Sequence, residues 1–505
     1  MNYSFLPLRL KYLLLIFFTG FGRMVFPQKG NQPNIVFILA DDLGWADLPC
    51  YGNTFNEAPN LDKLSQQGIR FTNAYAACPV CSPTRASIQS GQYPARVGII
   101  DFISGHWRPY EEVTVPVNRY QYLPAEIITM AESLKKSGYK TAYFGKWHLG
   151  YDEEFLPSNQ GYDKSHIYHG GGYYSPEFIP SVEPDRKGRL SEILTDFSVD
   201  FIEENKSNPF FLFLAHYDVH VQLDGDNEII DKYLHKEKKD NYPGNAVYAA
   251  MIEHLDISVG RVLDKLEKCG IEDNTIVIFF SDNGGLVSRF DQIPLLAKSK
   301  LGVYKKSPLK YIATSNSPLR AEKGTVYEGG IREPLIVKWP CKIQAGTISK
   351  ATVTSVDFYP TLLEVAGAYK PEHQVLDGKS ILPELLQDEF DPERSVFWHY
   401  PVYHHDVPAS AIRKGDWKLI KNLVTGKSEL YNLKTDIGET LDLSLLYPEK
   451  ASELYKLLSD WQNDTGAEFP IENPDFDDKR RYEWGRHPYR RILMNIYDKS
   501  GIRLN

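Results

Sequence analysis

Apolar residues in this chain follow two rhythms. The run Asn34-Ile-Val-Phe-Ile-Leu-Ala40 is continuously apolar and rich in β-branched residues, the pattern of a strand buried on both faces of a mostly parallel sheet. Residues 209–215 and 275–280 repeat it. Between such runs, apolar positions recur at helical spacing. One such stretch covers residues 123–138. A second, over 248–270, sets Ile252, Leu255, Val259, Val262, Leu263 and Leu266 on one stripe, and both stop at a glycine. Strands alternating with helices predict a doubly wound α/β core. The rhythm changes near residue 390. Residues 395–400, 411–413, 417–421 and 428–433 read as short strands separated by turns, followed by a helix over 448–463. The chain therefore divides into a large α/β domain over 28–390 and a C-terminal subdomain over 391–505 with an antiparallel sheet, a helix and a wrapping tail. That tail is aromatic and basic, with Arg480, Arg481, Trp484, Arg486, Tyr489, Arg490 and Arg491.

The first residues stand apart. Arg9 and Lys11 precede an apolar run over 12–18, and the small residues Thr19, Gly20 and Gly22 follow. This reads as a signal peptide, assigned to residues 1–27, because the run is too short to span a bilayer. The mature protein is expected to start near residue 23 to 30, to be periplasmic or secreted, and to have no stable membrane span. Of 505 residues, 24% are charged and 42% hydrophobic, an ordinary globular balance. A net charge of −9 leaves no basic excess for nucleic acid. It does not exclude an anionic substrate, since a local cationic pocket overrides the global sign. The cysteines are Cys50, Cys78, Cys81, Cys269 and Cys341, an odd set in an exported chain, which marks one thiol for another fate.

The strand ends carry the chemistry. The first strand stops at Asp41-Asp42-Leu-Gly44 and the strand from Thr275 stops at Ser281-Asp282-Asn283-Gly-Gly285. Ligands of open α/β sheets sit beyond the carboxyl ends of strands. Either pair alone could merely cap a turn. Together they form a set of hard oxygen donors, suited to calcium or magnesium rather than zinc. In Cys78-Pro-Val-Cys81-Ser-Pro-Thr-Arg85, Pro83 suits a first helical turn and Gly91 the helix end. Cys81 is then expected just before a helix N-terminus, where backbone N–H groups favour an anion. Arg85 adds a bidentate fork for an oxyanion. The Cys-x-x-Cys spacing also suits redox or zinc chemistry, but no second cysteine pair completes a zinc site.

Cys81-Ser-Pro-Thr-Arg85 matches the Cys-x-Pro-x-Arg signature, and the chain resembles the type I, formylglycine-dependent sulfatases, in their arylsulfatase-like, polysaccharide-directed subgroup. The resemblance runs from Asn34 to the C-terminal subdomain. It includes Asp41-Asp-Leu-Gly44, Ala58-Pro-Asn-Leu-Asp62, Gly91-Gln-Tyr-Pro-Ala-Arg96, Gly145-Lys-Trp-His-Leu-Gly150, Ser281-Asp-Asn-Gly-Gly285 and Gly324-Thr-Val-Tyr-Glu-Gly-Gly-Ile-Arg-Glu-Pro334. Ala46-Asp47-Leu-Pro-Cys50 departs from the family's Gly-Asp-Leu-Gly, away from the metal ligands.

The resemblance implies an alkaline-phosphatase-like fold: a large, mostly parallel sheet flanked by helices, with a small C-terminal antiparallel sheet plus helix. It implies hydrolysis of sulfate esters after a formylglycine-generating or anaerobic sulfatase-maturing enzyme converts Cys81 to 3-oxoalanine. One calcium ion would be held by Asp41, Asp42, Asp282, Asn283 and the modified Cys81. Arg85 and nearby N–H groups would support the developing oxyanion charge. Lys146 would lie beside metal and sulfate, and His148 would serve as base on the diol. His220, preferred to His216 and Asp218, and Lys323 would contact the sulfate and the leaving oxygen, one of them protonating it. Glu328 and Arg332 are expected to pack and ion-pair.

The implied substrates are sulfated polysaccharides or oligosaccharides of ulvan, carrageenan, fucan or glycosaminoglycan type. Trp107, His166, His169, Tyr173, Tyr174, His399, His404 and His405 are candidate pocket residues, most of them expected to be structural. Two rival readings differ in their residues. Phosphodiesterases and phosphonate monoester hydrolases of the same superfamily use zinc pairs, extra histidines and a Ser or Thr nucleophile. A non-catalytic glycan-binding relative would be expected to lose Cys81, Arg85 or a carboxylate, and all are retained.

Overall fold

Strand β1 (Asn34–Ala40) is buried along its whole length. Its side chains alternate, so Val36, Ile38 and Ala40 enter one core and Ile35, Phe37 and Leu39 the other. The computed structural model describes residue 1 and residues 32–105, 108–182, 187–238, 242–289, 293–387 and 390–483. The signal-peptide segment, Trp107 and the tail from Trp484 lie outside them.

The further strands, in chain order, are β2 (Ile69–Tyr75), β3 (Val113–Thr114), β4 (Lys140–Gly145), β5 (Lys164–Gly170), β6 (Glu177–Ile179), β7 (Phe210–Ala215), β8 (Thr275–Ser281), β9 (Arg332–Lys338), β10 (Thr347–Thr354), β11 (Ser395–Tyr400), β12 (Ala409–Lys414), β13 (Trp417–Asn422), β14 (Ser428–Asn432) and β15 (Ile471–Glu472). One nine-stranded sheet has the order β10-β2-β9-β8-β1-β7-β4-β5-β6. Its pairings are parallel except those of β9 with β2 and β8, and that of β6 with β5. This arrangement positions the site. The carboxyl ends of β1, β2, β4, β7 and β8 share one edge, and because β9 runs backwards, the segment leading into it comes to that same edge.

Helices Leu190–Asn205 and Ala246–Lys268 cover one face of the sheet, and Met130–Lys136 and Phe358–Ala366 the other. The stripe read over 248–270 is present, with Ile252, Leu255, Val259, Val262 and Leu266 buried. The helix expected over 123–138 starts only at Met130. The Glu132 N–H donates to Thr129 Oγ1 (3.1 Å) and the Thr129 N–H to Glu132 Oε2 (2.7 Å), a capping box that fixes the start there. Leu123, whose spacing looked helical, is buried in a loop whose N–H donates to Leu149 O.

Strands β11 to β14 form an antiparallel sheet. Helix Pro448–Thr465 lies on one face, with Leu454 and Leu458 against Ile412, Leu419 and Leu430. The other face, through Trp398, Tyr400 and Ile420, packs on Tyr75, Val326 and Ile331 of the large domain. A buried ionic latch crosses this seam. Lys418 Nζ lies 2.9 Å from Glu328 Oε1 and 2.8 Å from Glu439 Oε1, all three side chains fully buried. Arg332 Nε and the Tyr75 hydroxyl donate to Glu328 Oε2 at 2.7 and 2.8 Å, so Glu328 and Arg332 do ion-pair as expected. Among the described residues no helix is long and apolar enough to cross a membrane.

Removing one member of such a cluster leaves a buried charge uncompensated. Lys418→Met is expected to cost about 3–5 kcal/mol in urea unfolding followed by tryptophan fluorescence. A loss below about 1 kcal/mol would show that the latch carries no stability.

Candidate active site

Asp41 and Asp42 continue β1 past its last paired residue, and both are buried. Asp42 has φ 61°, a left-handed conformation uncommon for a residue with a Cβ. The neighbouring strand ends hold this turn. The Asp41 N–H donates to Asp218 O (2.9 Å), the Val219 N–H to Asp41 O (2.7 Å) and the Asp282 N–H to Ala40 O (3.1 Å). Cys81 is the first residue of helix Cys81–Ser90, one position later in register than the sequence suggested, with Val80 as N-cap.

Arg85, one turn on, fixes the carboxylates. Its Nε donates to Asp282 Oδ2 (2.8 Å), its Nη2 lies 2.7 Å from that atom and 3.3 Å from Asp41 Oδ2, and its Nη1 donates to Lys146 O (2.6 Å). The guanidinium is therefore engaged by Asp41, Asp282 and the Lys146 carbonyl. Lys146 Nζ is 2.6 Å from Asp41 Oδ2 and Lys323 Nζ 2.6 Å from Asp42 Oδ1. Asn283 Nδ2 donates to Asp42 Oδ1 (2.8 Å). His220 Nε2 lies 3.7 Å from Asp42 Oδ2, and His148 Nδ1 3.3 Å from Cys81 Sγ. The residues given catalytic or metal-binding roles from the sequence, Asp41, Asp42, Cys81, Arg85, Lys146, His148, His220, Asp282, Asn283 and Lys323, fold into this one cluster.

Burial and neighbouring charge set the protonation states. Burial pushes the Asp41 carboxyl up, but Lys146, His220, Arg85 and Lys323 outweigh it and hold it below the usual carboxylate range. Burial, reinforced by the nearby Asp41, raises Asp282 to about 6. Burial disfavours charge on Lys323, yet Asp42 and other neighbours more than restore it, so its pKa is raised. Burial, helped by Lys146, lowers His148 far below its ordinary value and keeps it neutral. Its Nε2 stands 2.5 Å from Ile103 O, so the ring proton sits there and Nδ1 turns a lone pair to Cys81. Burial also lowers His220 to about 4, and its Nδ1–H donates to Val221 O (2.6 Å). Burial raises the Cys81 thiol, against the pull of Lys146 and Lys323, so it is not a ready thiolate.

The donor set fits a hard cation. Asp41 Oδ1, Asp42 Oδ2 and Asn283 Oδ1 are buried acceptors with no hydrogen-bond donor, a costly state that a cation would relieve. Asp41, Asp42 and His220 each bring a ligand atom within 4.8 Å of the others. That grouping includes a nitrogen. These unpartnered acceptors are all oxygens, which points to an oxygen-coordinated ion with His220 beside it.

Some neighbours were not legible as site residues. Tyr217 places its ring 5.2 Å from Lys146 Nζ and 4.7 Å from the His220 ring, and nothing in the sequence set it apart from its neighbours in the post-strand segment. Of the pocket candidates, His166 stacks on Phe144 and Phe197 in the core. His399 spends its nitrogens on Ser410 Oγ and Glu468 O. Both are structural. His404 lies against Gly324, where a Cβ would stand 2.1 Å from His404 Nδ1, and His405 Nε2 is 2.9 Å from Ser288 O.

Lys146 and Lys323 bring their ammonium groups to the same buried point as the carboxylates, and a cation on the unpartnered oxygens would tip that balance toward an anionic ester. Comparison with known proteins identifies the anion. The Sulfatase family model matches residues 33–368, and that of the N-sulphoglucosamine sulphohydrolase C-terminal region matches 321–462. The chain belongs to the sulfatase family and is a sulfuric ester hydrolase. It is 34% identical over 496 residues to a sulfatase of Formosa agariphila, covering 82% of this chain and 85% of that one. It is 31% identical over 412 residues to human N-acetylgalactosamine-6-sulfatase, covering 75% and 70%. The solved structure of Ps i-CgsB in complex with k-i-k-neocarrahexaose superposes with a TM-score of 0.71 at 26% identity, over 88% of this chain and 95% of that chain.

Gly145 closes β4 with φ 114°, and a Cβ there would stand 1.8 Å from Ala215 O, the carbonyl that accepts the Lys146 N–H at 2.9 Å. Gly145→Ala is therefore expected to cost about 2 kcal/mol or more and to reduce sulfate release beyond the loss of folded protein, because Lys146 moves with the strand end. Thermal denaturation alongside turnover checks it, and wild-type values of both would refute it.

Proposed function

We propose that this sulfatase removes sulfate esters from a sulfated polysaccharide or oligosaccharide of ulvan, carrageenan, fucan or glycosaminoglycan type, with one calcium ion and a nucleophile made by oxidising Cys81 to formylglycine. The observation that carries the reading is the setting of Cys81: a buried position at a helix N-terminus, 3.3 Å from the lone pair of neutral His148. A thiol held protonated there is a poor nucleophile. A hydrated aldehyde would supply two hydroxyls on one carbon, one to attack sulfur and one whose ionisation re-forms the carbonyl and expels sulfate.

The other roles follow from the charges. Asp41, Asp42, Asp282 and Asn283 would hold calcium together with the modified Cys81. When bound, the ion would acidify an adjacent hydroxyl and offset sulfate charge. His148 Nδ1 accepts the proton of the attacking hydroxyl. Lys146 and Lys323 bind the sulfate oxygens. Lys323, with its raised pKa, carries its proton at neutral pH. His220, neutral when the site is empty of substrate, can take up a proton once an anion arrives beside Asp42. One of these two protonates the departing alcohol oxygen.

The substrate class is supported by the human relative named N-acetylgalactosamine-6-sulfatase and by the neighbour solved with k-i-k-neocarrahexaose. We place the enzyme in the periplasm or outside the cell, where polymeric substrate is met. N-terminal sequencing of exported material should begin between residues 23 and 30, and a chain retaining Met1 contradicts this.

Mass spectrometry of the peptide around Cys81 should show sulfur lost and an aldehyde gained. Cys81→Ala should lower sulfate release from defined sulfated oligosaccharides by at least about 10³-fold. Chelation should abolish turnover and calcium restore it. Fully active protein with an intact thiol, or Cys81→Ala at wild-type rate, would overturn the mechanism. Faster turnover of phosphodiesters than of any sulfate ester would move the assignment to the phosphodiesterase alternative.

A further inference from the structure

The loop after β7, residues 216–221, carries His220 and also braces Asp41 through Asp218 O and the Val219 N–H. The His220 side chain is one-fifth exposed, so packing alone does not fix its ring. Its backbone must be held, and two residues from the other side of the sheet edge hold it. The Tyr173 hydroxyl donates to both His220 O (2.7 Å) and Tyr217 O (2.9 Å), one proton shared between two carbonyls. Arg189 pairs with Asp218 through both arms of its fork, Nη1 lying 3.0 Å from Oδ2 and Nη2 against Oδ1. Tyr173, Arg189 and Asp218 are all buried.

The two residues are also tied to each other. The Leu190 N–H donates to Tyr173 O (2.7 Å), and the Arg189 guanidinium lies 4.6 Å from the centre of the Tyr173 ring. Tyr173 and Arg189 thus form one strap anchored at the start of helix Leu190–Asn205. A buried bidentate pair gives direction as well as attraction, and a hydroxyl with no other protein partner to donate to gives a single defined contact.

We infer that Tyr173 and Arg189 are positioning residues for the sulfatase reaction, acting through the 216–221 loop to hold His220 against the reacting ester. The inference rests on the functional reading above, in which His220 touches substrate. Tyr173 does not reach the reacting atoms. Its hydroxyl is spent on the loop, which removes it from the pocket-lining candidates.

The test is a double-mutant cycle on a sulfated oligosaccharide. Tyr173→Phe keeps the ring and removes the hydroxyl. It should lower kcat/KM on the order of ten-fold in the wild-type background, mainly through kcat. In the His220→Ala background the same change should cost less than roughly two-fold, because the residue it acts through is gone. Equal losses in both backgrounds would overturn the inference. Amide hydrogen exchange supplies a readout that does not need turnover. Tyr173→Phe should speed exchange in residues 216–221 and leave the strands unchanged, whereas unaltered exchange there, or faster exchange throughout, counts against the strap. If the wild-type protein releases no sulfate from any oligosaccharide, the substrate reading fails on its own, and the exchange result still decides whether the strap exists.

Discussion

Concentrating three carboxylates in a dry pocket is the constraint on which the remaining structure depends. Each buried carboxylate costs several kcal/mol unless compensated, and Asp41, Asp42 and Asp282 stand together at one sheet edge. The fold answers with cations from separate stretches of chain: Arg85 from a helix, Lys146 from the loop after β4 and Lys323 from the segment before β9. No local stretch of sequence could supply this balance. It needs a sheet whose parallel strands end at one edge and a single reversed strand that returns Lys323 there. The compensation stops short of complete, since buried oxygens of Asp41, Asp42 and Asn283 remain without donors, and that remainder is what a bound cation would relieve.

How much of this was legible follows from where the information sits. The continuous apolar runs of β1, β7 and β8 announced strands buried on both faces, and the carboxylates at two of their ends announced the edge that mattered. The C-terminal sheet was equally readable, because its short alternating strands and turns are local signals. The false start was the helix over 123–138. Apolar spacing there reflects burial of a loop, and the true boundary is set by the side chains of Thr129 and Glu132, a signal present in the sequence but weaker than the periodicity around it. The strap escaped notice for a different reason. Tyr173 and Arg189 act on carbonyls and on Asp218 more than 25 positions away, and hydrogen bonds to backbone leave no pattern in side-chain identity.

The C-terminal subdomain is tied to the same chemistry. Its latch residue Lys418 meets Glu328, which also holds Arg332 and the Tyr75 hydroxyl. Arg413 reaches the same hydroxyl. Tyr75 is the last residue of β2 and leads into the helix that presents Cys81. The subdomain therefore clamps the start of the segment that carries Cys81, and its His404 packs against Gly324, next to Lys323. Two of the elements that bring Cys81 and Lys323 to the sheet edge are held from outside the large domain.

Environment, more than residue type, divides the work at this edge. Two histidines face the pocket, and burial makes both neutral, yet their fixed hydrogen bonds give them different tasks. The His148 proton is pinned on Ile103 O, leaving a lone pair aimed at Cys81. The His220 proton is pinned on Val221 O, leaving a nitrogen toward Asp42 that an arriving anion can charge. Were a carbonyl to face Nδ1 of His148 instead of Nε2, the ring proton would move there and no lone pair would face Cys81. The site thus depends as much on where loop carbonyls are held as on which side chains surround them. A strap that fixes Tyr217 O and His220 O, the latter next to Val221, acts on the same loop although it never touches the ester.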